Sequence, residues 1–151
     1  MKRNVMEDFR RDVSYRLYKQ DDGALLLTAT LHDRFHDILL EVTVDSETLA
    51  ITAARVDFRR APSGECPNVV KRLEMLVGLV IGKGLSRALT TALGGGEGCG
   101  NLRTLLMGLL PLALNVQAAA GFDDEQEMMA AIHDRLLGTC AGYVRPSERK
   151  G

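Results

Sequence analysis

The first sixty residues alternate between apolar and polar positions with a period of two. Val13, Tyr15 and Leu17 interleave with Ser14, Arg16 and Tyr18, which places the two sets on opposite faces of a strand. Asp21-Asp22-Gly23 then supplies turn chemistry,. Leu25, Leu27, Ala29 and Leu31 alternate with Leu26, Thr28, Thr30 and His32, and after a short polar link Ile38, Leu40, Val42 and Val44 alternate with Leu39, Glu41, Thr43 and Asp45. Asp45-Ser46-Glu47-Thr48 turns the chain again, and a last run carries Ile51, Thr52, Val56 and Phe58. Links this short leave antiparallel neighbours as the option. The prediction is a meander of three or four strands over about residues 10–60, with one apolar face and one mixed face.

At residues 61–68, Ala-Pro-Ser-Gly-Glu-Cys-Pro-Asn, the period changes,. Val69, Val70, Leu73, Leu76, Val77 and Val80 fall at helical spacing, with Pro67 suited to the first turn,. Gly82-Lys83-Gly84 is expected to break that helix before a shorter one that turns Leu85, Ala88, Leu89 and Ala92 inward. A glycine-rich segment at residues 94–100 leads into a long apolar helix over about 102–120, kinked at Pro111,. Asp123 and Asp124 can cap a further helix carrying Met128, Met129, Ile132, Leu136 and Leu137, ending near Gly138,. The fold class is therefore α+β: an N-terminal antiparallel β-meander packed against three or four C-terminal helices. One domain spans residues 1–151, with its helical part at about 66–140 and a polar tail at 145–151.

Composition narrows the function classes. With 46% hydrophobic and 26% charged residues the chain sits in the globular range,. Its net charge of −1 lacks the basic excess of a general nucleic-acid binder,. The uncharged stretch between Arg103 and Asp123 has the length of a membrane span,. Asn115, Gln117, Pro111 and the alanine run at 118–120 instead fit a helix buried in the protein core,. Three cysteines do not make a disulfide framework and no apolar leader opens the chain,. Both observations point to a reducing, cytoplasmic setting.

Those cysteines are the first chemical candidates, because each falls at a junction. Cys66 stands at the switch from strand to helix, Cys99 at the head of the long helix, and Cys140 past the last one. A thiol at a helix N-terminus has its thiolate favoured by the dipole and by free N–H donors. Three converging thiolates would hold a soft metal or an iron–sulfur cluster with one position open. The alternative is that each is a small buried apolar residue. His32 and His36 stand four apart, but at the tip of a hairpin, where helical spacing arguments lapse; His36 and Asp37 are remote candidates for the same metal shell,. Gly96, Gly98, Gly100 and Asn101, before the long helix, form a candidate anion nest, with Lys83, Arg87 and Arg103 as possible phosphate partners,. The segment matches neither a P-loop nor a dinucleotide fingerprint, and no catalytic constellation is recognisable.

Taken together, these residues resemble the bacterial domain of unknown function 2889 family over about residues 11–143. The resemblance rests on Asp22-Gly23, Leu31-x-Asp33, His36-Asp37-x-x-Leu40-x-Val42-x-Val44-Asp45 and Cys66-Pro67. It continues through Val77-Gly78-Leu79-x-Ile81-Gly82-x-Gly84, Leu93-Gly94-Gly95-x-x-Gly98-Cys99-x-x-Leu102 and Thr139-Cys140. That family's pattern implies a histidine two residues after the middle cysteine and another directly after the last; here those places hold Asn101 and Ala141. A metal site implied by the family would have lost two nitrogen ligands in this chain and kept three thiols. The layout is also similar to that of iron–sulfur cluster assembly scaffolds, with a sheet, a cysteine after its last strand, and a cysteine heading a long helix. The scaffolds' middle cysteine has no counterpart here.

The leading expectation is a thiol-based protein that binds a soft divalent metal or an iron–sulfur cluster, or carries sulfur, through Cys66, Cys99 and Cys140. Two alternatives stand beside it. One is a non-catalytic interaction domain, forming a homodimer or binding a protein partner, with structural cysteines. The other is an anion- or nucleotide-binding protein that uses the glycine segment. Nucleic acid and membrane are not expected partners.

Overall fold

Four strands form along the alternating segments: β1 (Asp12–Lys19), β2 (Leu25–His32), β3 (Asp37–Val44) and β4 (Ile51–Arg60). They pair antiparallel in the order β1-β2-β3-β4, as a meander of short links requires,. The register sets Tyr15 opposite Ala29, Leu27 opposite Val42, and Leu40 opposite Val56. Leu25, Leu27, Ala29 and Leu31 of β2 and Ile38, Leu40, Val42 and Val44 of β3 are all buried on one face. The opposite face carries Leu26, Thr28, Leu39, Glu41, Arg55 and Asp57 and is partly exposed, the mixed face of a sheet covered on one side only,.

The computed structural model describes residues 2, 4 and 6–144, so the polar tail expected at 145–151 lies outside the described residues. Past β4 the chain makes a 3-10 turn, Cys66–Val69, a single α-turn, α1 (Val70–Leu73), and a second 3-10 turn, Glu74–Leu76. The helix expected through Val80 stops here. Val77 is extended, and residues 77–81 lie antiparallel beside 49–51: Gly78 N–H donates to Ile51 O, Ile51 N–H to Leu79 O, and Ile81 N–H to Leu49 O. Val77 and Val80 are exposed as a result, and Ile81 takes the buried place. Leu49 adopts φ 60, a left-handed conformation for a residue with a Cβ, where the Asp45 turn delivers the chain into this pairing,.

Gly82 and Gly84 occupy positive φ and let the chain swing into α2 (Leu85–Leu93), which buries Leu85, Leu89, Ala92 and Leu93,. A 3-10 turn, Gly95–Glu97, links it to α3 (Gly100–Leu109). α3 packs on β1 and β2 and on α2. It buries Leu102, Leu105, Leu106 and Leu109, and Leu110 after it. Gly108 lets α3 sit close to β1, since a Cβ there would run into the Tyr15 ring. Pro111 interrupts the rod, and α4 (Leu112–Ala119) follows,. The stretch Gly100–Ala119 is long and apolar enough to cross a membrane by length and composition. Leu102, Leu105, Leu106, Leu109 and Leu110 within it, however, are buried in the layer that covers the sheet.

Contacts group the chain into two compact units, one ending at Leu114 and the other beginning at Asn115. The second unit contains α5 (Glu125–Arg135), whose cap is the expected one: the Asp124 carboxylate accepts from Glu127 N–H at 2.9 Å,. Gly138 lies beyond it at positive φ, and Cys140 is exposed.

Candidate functional site

Two of the three cysteines come together on one surface feature. Cys66 and Cys99 line a cleft of about 390 Å³, together with Ser63, Glu65, Asn68 and Lys71 on one side and Gly96, Glu97 and Gly98 on the other. Both thiols are free and half-buried. Local chemistry holds each wall. Cys66 N–H donates to Ser63 O, Glu65 N–H donates to Ser63 Oγ, and the Asn68 amide donates to Glu65 Oε2 at 2.7 Å. On the other wall Arg72 clamps the end of α2, donating to Ala92 O and Thr91 O, and pairs with Glu97 at 3.6 Å.

Two glycines of this segment serve close packing. A Cβ on Gly98 would collide with the carbonyl of Leu93, and one on Gly94 with that of Thr90. Gly98 N–H donates to Gly95 O and Cys99 N–H to Leu93 O, so these two amides are engaged within the loop. Cys99 is the N-cap residue of α3 and Gly100 opens its first turn. The helix-head placement expected of both cysteines is therefore found at Cys99 alone, since Cys66 opens a four-residue 3-10 turn. Lys83 and Arg87 line a different groove from Gly96 and Gly98, and the cation at the cleft is Lys71.

Asn101, two residues past Cys99, faces away into a polar cluster that sequence reasoning did not assemble. Its hub is Asp33 at the β2–β3 turn, whose side chain is fully buried. The carboxylate accepts from the Phe35 and His36 amides, from His36 Nδ1 at 2.9 Å and from Arg11 Nε at 2.8 Å. A carboxylate can only accept, so Nδ1 carries the hydrogen. His36 Nε2 is then left to accept from the Asn101 amide at 3.2 Å,. Arg11 Nη1 donates to Asn101 Oδ1, and Arg60 donates to the Asp33 carbonyl at 2.7 Å. Burial by itself would push the Asp33 carboxyl up. The Phe35 amide, the His36 ring, the Arg11 guanidinium and the His36 amide outweigh it and hold the group well below the usual carboxylate range,. His32 does not join. It is exposed, 3.8 Å from the Asp37 carboxylate. The Leu31-x-Asp33 and His36 positions were visible in the sequence, but nothing in it announced their meeting with Asn101.

Among the described residues, no group of three or more His, Cys, Asp and Glu side chains is arranged to hold a metal ion. The cleft offers two thiols flanked by carboxylates, and both ring nitrogens of His36 are engaged elsewhere. Cys140 belongs to the second unit.

An antiparallel four-stranded meander with helices on one face, and a two-cysteine cleft at the head of the central helix, define an α+β protein with a thiol-lined surface site. The chain belongs to the family described as Protein of unknown function (DUF2889), which it matches over residues 9–115. No curated protein and no solved structure matches it. The matched segment takes in Cys66 and Cys99 and ends one residue past the first unit, short of the Thr139-Cys140 pair included in the sequence resemblance.

Proposed function

We propose that this is a small thiol-based binding protein that takes a soft metal ion or an iron–sulfur cluster, or carries sulfur, on Cys66 and Cys99. One observation carries the reading: two half-buried free cysteines, distant in sequence and on different elements, line the same cleft. Thiolate is the ligand that selects soft metals and iron–sulfur clusters over hard cations. Two thiols leave coordination positions open, so the remaining ligands come from outside this cleft: a small thiol, a second copy forming a homodimer, or Cys140. The order of sheet, cysteine, helices and cysteine-headed helix is in keeping with cluster scaffolds. A reducing cytoplasmic setting would keep the thiols available.

The test is anaerobic purification with metal analysis and a visible spectrum, repeated after reconstitution with iron and sulfide and with Zn(II) or Cu(I). About one metal ion or cluster per chain or per pair of chains is expected, lost in Cys66→Ser and in Cys99→Ser. The Cys140→Ser variant reports whether the third thiol participates. A colourless protein that stays free of stoichiometric metal after reconstitution would overturn the reading.

A further inference from the structure

A second groove, independent of the thiol cleft, runs between α2 and the rod formed by α3 and the start of α4. Its volume is about 910 Å³, and it is open to solvent. Met107, Pro111 and Leu114 form one wall, at the i, i+4, i+7 spacing of a helix face,. Lys83, from the loop that leads into α2, and Arg87 and Thr90 of α2 form the other. Met107 and Leu114 are each 38% exposed, although they belong to the most apolar stretch of the chain. The Thr90 and Thr91 hydroxyls are engaged by carbonyls of their own helix, at Ser86 and Arg87. The charge on the polar wall is thus carried by the two cations, with the Ser86 hydroxyl beside them. Among the described residues neither Lys83 nor Arg87 has an ion-pair partner, and no acidic residue lines the groove.

We infer that this groove docks an amphipathic helix of a partner protein, one that carries acidic residues along one flank of its apolar stripe. The apolar wall runs about 10 Å from Met107 to Leu114 and faces two cations, which suits an amphipathic helix laid along it. The apolar wall receives its i, i+3/i+4, i+7 side chains, and the cationic wall meets Glu or Asp on the adjacent flank. A small ligand fits less well. Such sites enclose roughly 70–90% of the ligand surface, and a groove open along one side cannot.

The probes are two fluorescein-labelled peptides of about sixteen residues: an Ala-based helix with Leu at i, i+3, i+4, i+7 and Glu along one flank, and its twin with Lys for every Glu. In anisotropy titrations at low salt the Glu peptide should bind about tenfold more tightly than the Lys twin, and added NaCl should erase the difference. The double variant Lys83→Glu/Arg87→Glu alters two exposed side chains and should keep the wild-type melting temperature while reversing the preference. Met107→Ser, which removes apolar surface without adding charge, should weaken both peptides. Equal affinity for the twins, or no binding of either at hundreds of micromolar, overturns the proposal. Two further outcomes would reassign the groove and overturn it equally. Sedimentation could show a wild-type dimer that the double variant dissolves, making the occupant a second copy. Saturation by dodecanoate with no peptide binding would make it a small anionic amphiphile.

Discussion

Asp33 shows how one buried side chain can organise two distant parts of the chain. Its carboxylate is out of water, and its charge is balanced by Arg11 and by amide and imidazole donors. Removing one partner from such a set leaves the others buried and unsatisfied, which costs about 3 kcal/mol. Because its carboxyl is held below its unfolded value, its contribution is fully present above the ordinary carboxylate range. That contribution is lost as pH falls through the range toward the folded value. Asp33→Asn should therefore be markedly less stable than wild type at pH 7, with the gap narrowing steadily below about pH 4. Urea melts across that range measure it. Asp45, whose carboxyl is also lowered, by the Thr48 and Glu47 amides, acts alike in both proteins and cancels from the difference. A gap that stays constant with pH would mean that shape, and not charge, is what Asp33 contributes.

At the scale of elements, the parts legible in the sequence are those whose partners are adjacent in the chain. Each strand of the meander pairs with the next across a short turn, so alternation and turn residues suffice to place all four. The Asp124 cap of α5 was equally local. Val77 and Val80 mislead because their spacing is helical while their backbone pairs with residues 49–51, an interaction that periodicity cannot register. Pro111 does more than kink: it divides the expected helix of 102–120 into α3 and α4. The same helix separates core from groove, and this is measurable. Leu106 is fully buried and its neighbour Met107 is not. Leu106→Ala should cost about 3 kcal/mol and Met107→Ala under about 1 kcal/mol. Similar losses for both would mean that the rod is covered on the groove side as well.

For the whole molecule, the candidate sites were only half legible. Cys66 and Cys99 drew notice by their position at junctions, and their sharing of one cleft agrees with it. In the glycine segment, Gly94 and Gly98 pack against Thr90 and Leu93, and two of the cations expected beside it, Lys83 and Arg87, line another groove. These juxtapositions arise from the folding of helices back over the sheet, which no local pattern encodes. The cluster at Asn101 bears on the order in which that folding occurs. The hairpins of the meander close short loops, whereas the Arg11–Asn101 hydrogen bond joins residues 90 apart and the Asn101–His36 bond residues 65 apart. Longer closures cost more chain entropy and come later along the folding path. The head of α3 should thus latch onto the finished hairpin only after the rate-limiting barrier, so that Asn101 controls how long the native state lasts rather than how fast it is reached. In stopped-flow chevrons, Asn101→Ala should unfold about tenfold faster and refold within about twofold of wild type. A refolding arm that slows as much as the unfolding arm speeds up would place the latch in the nucleus instead.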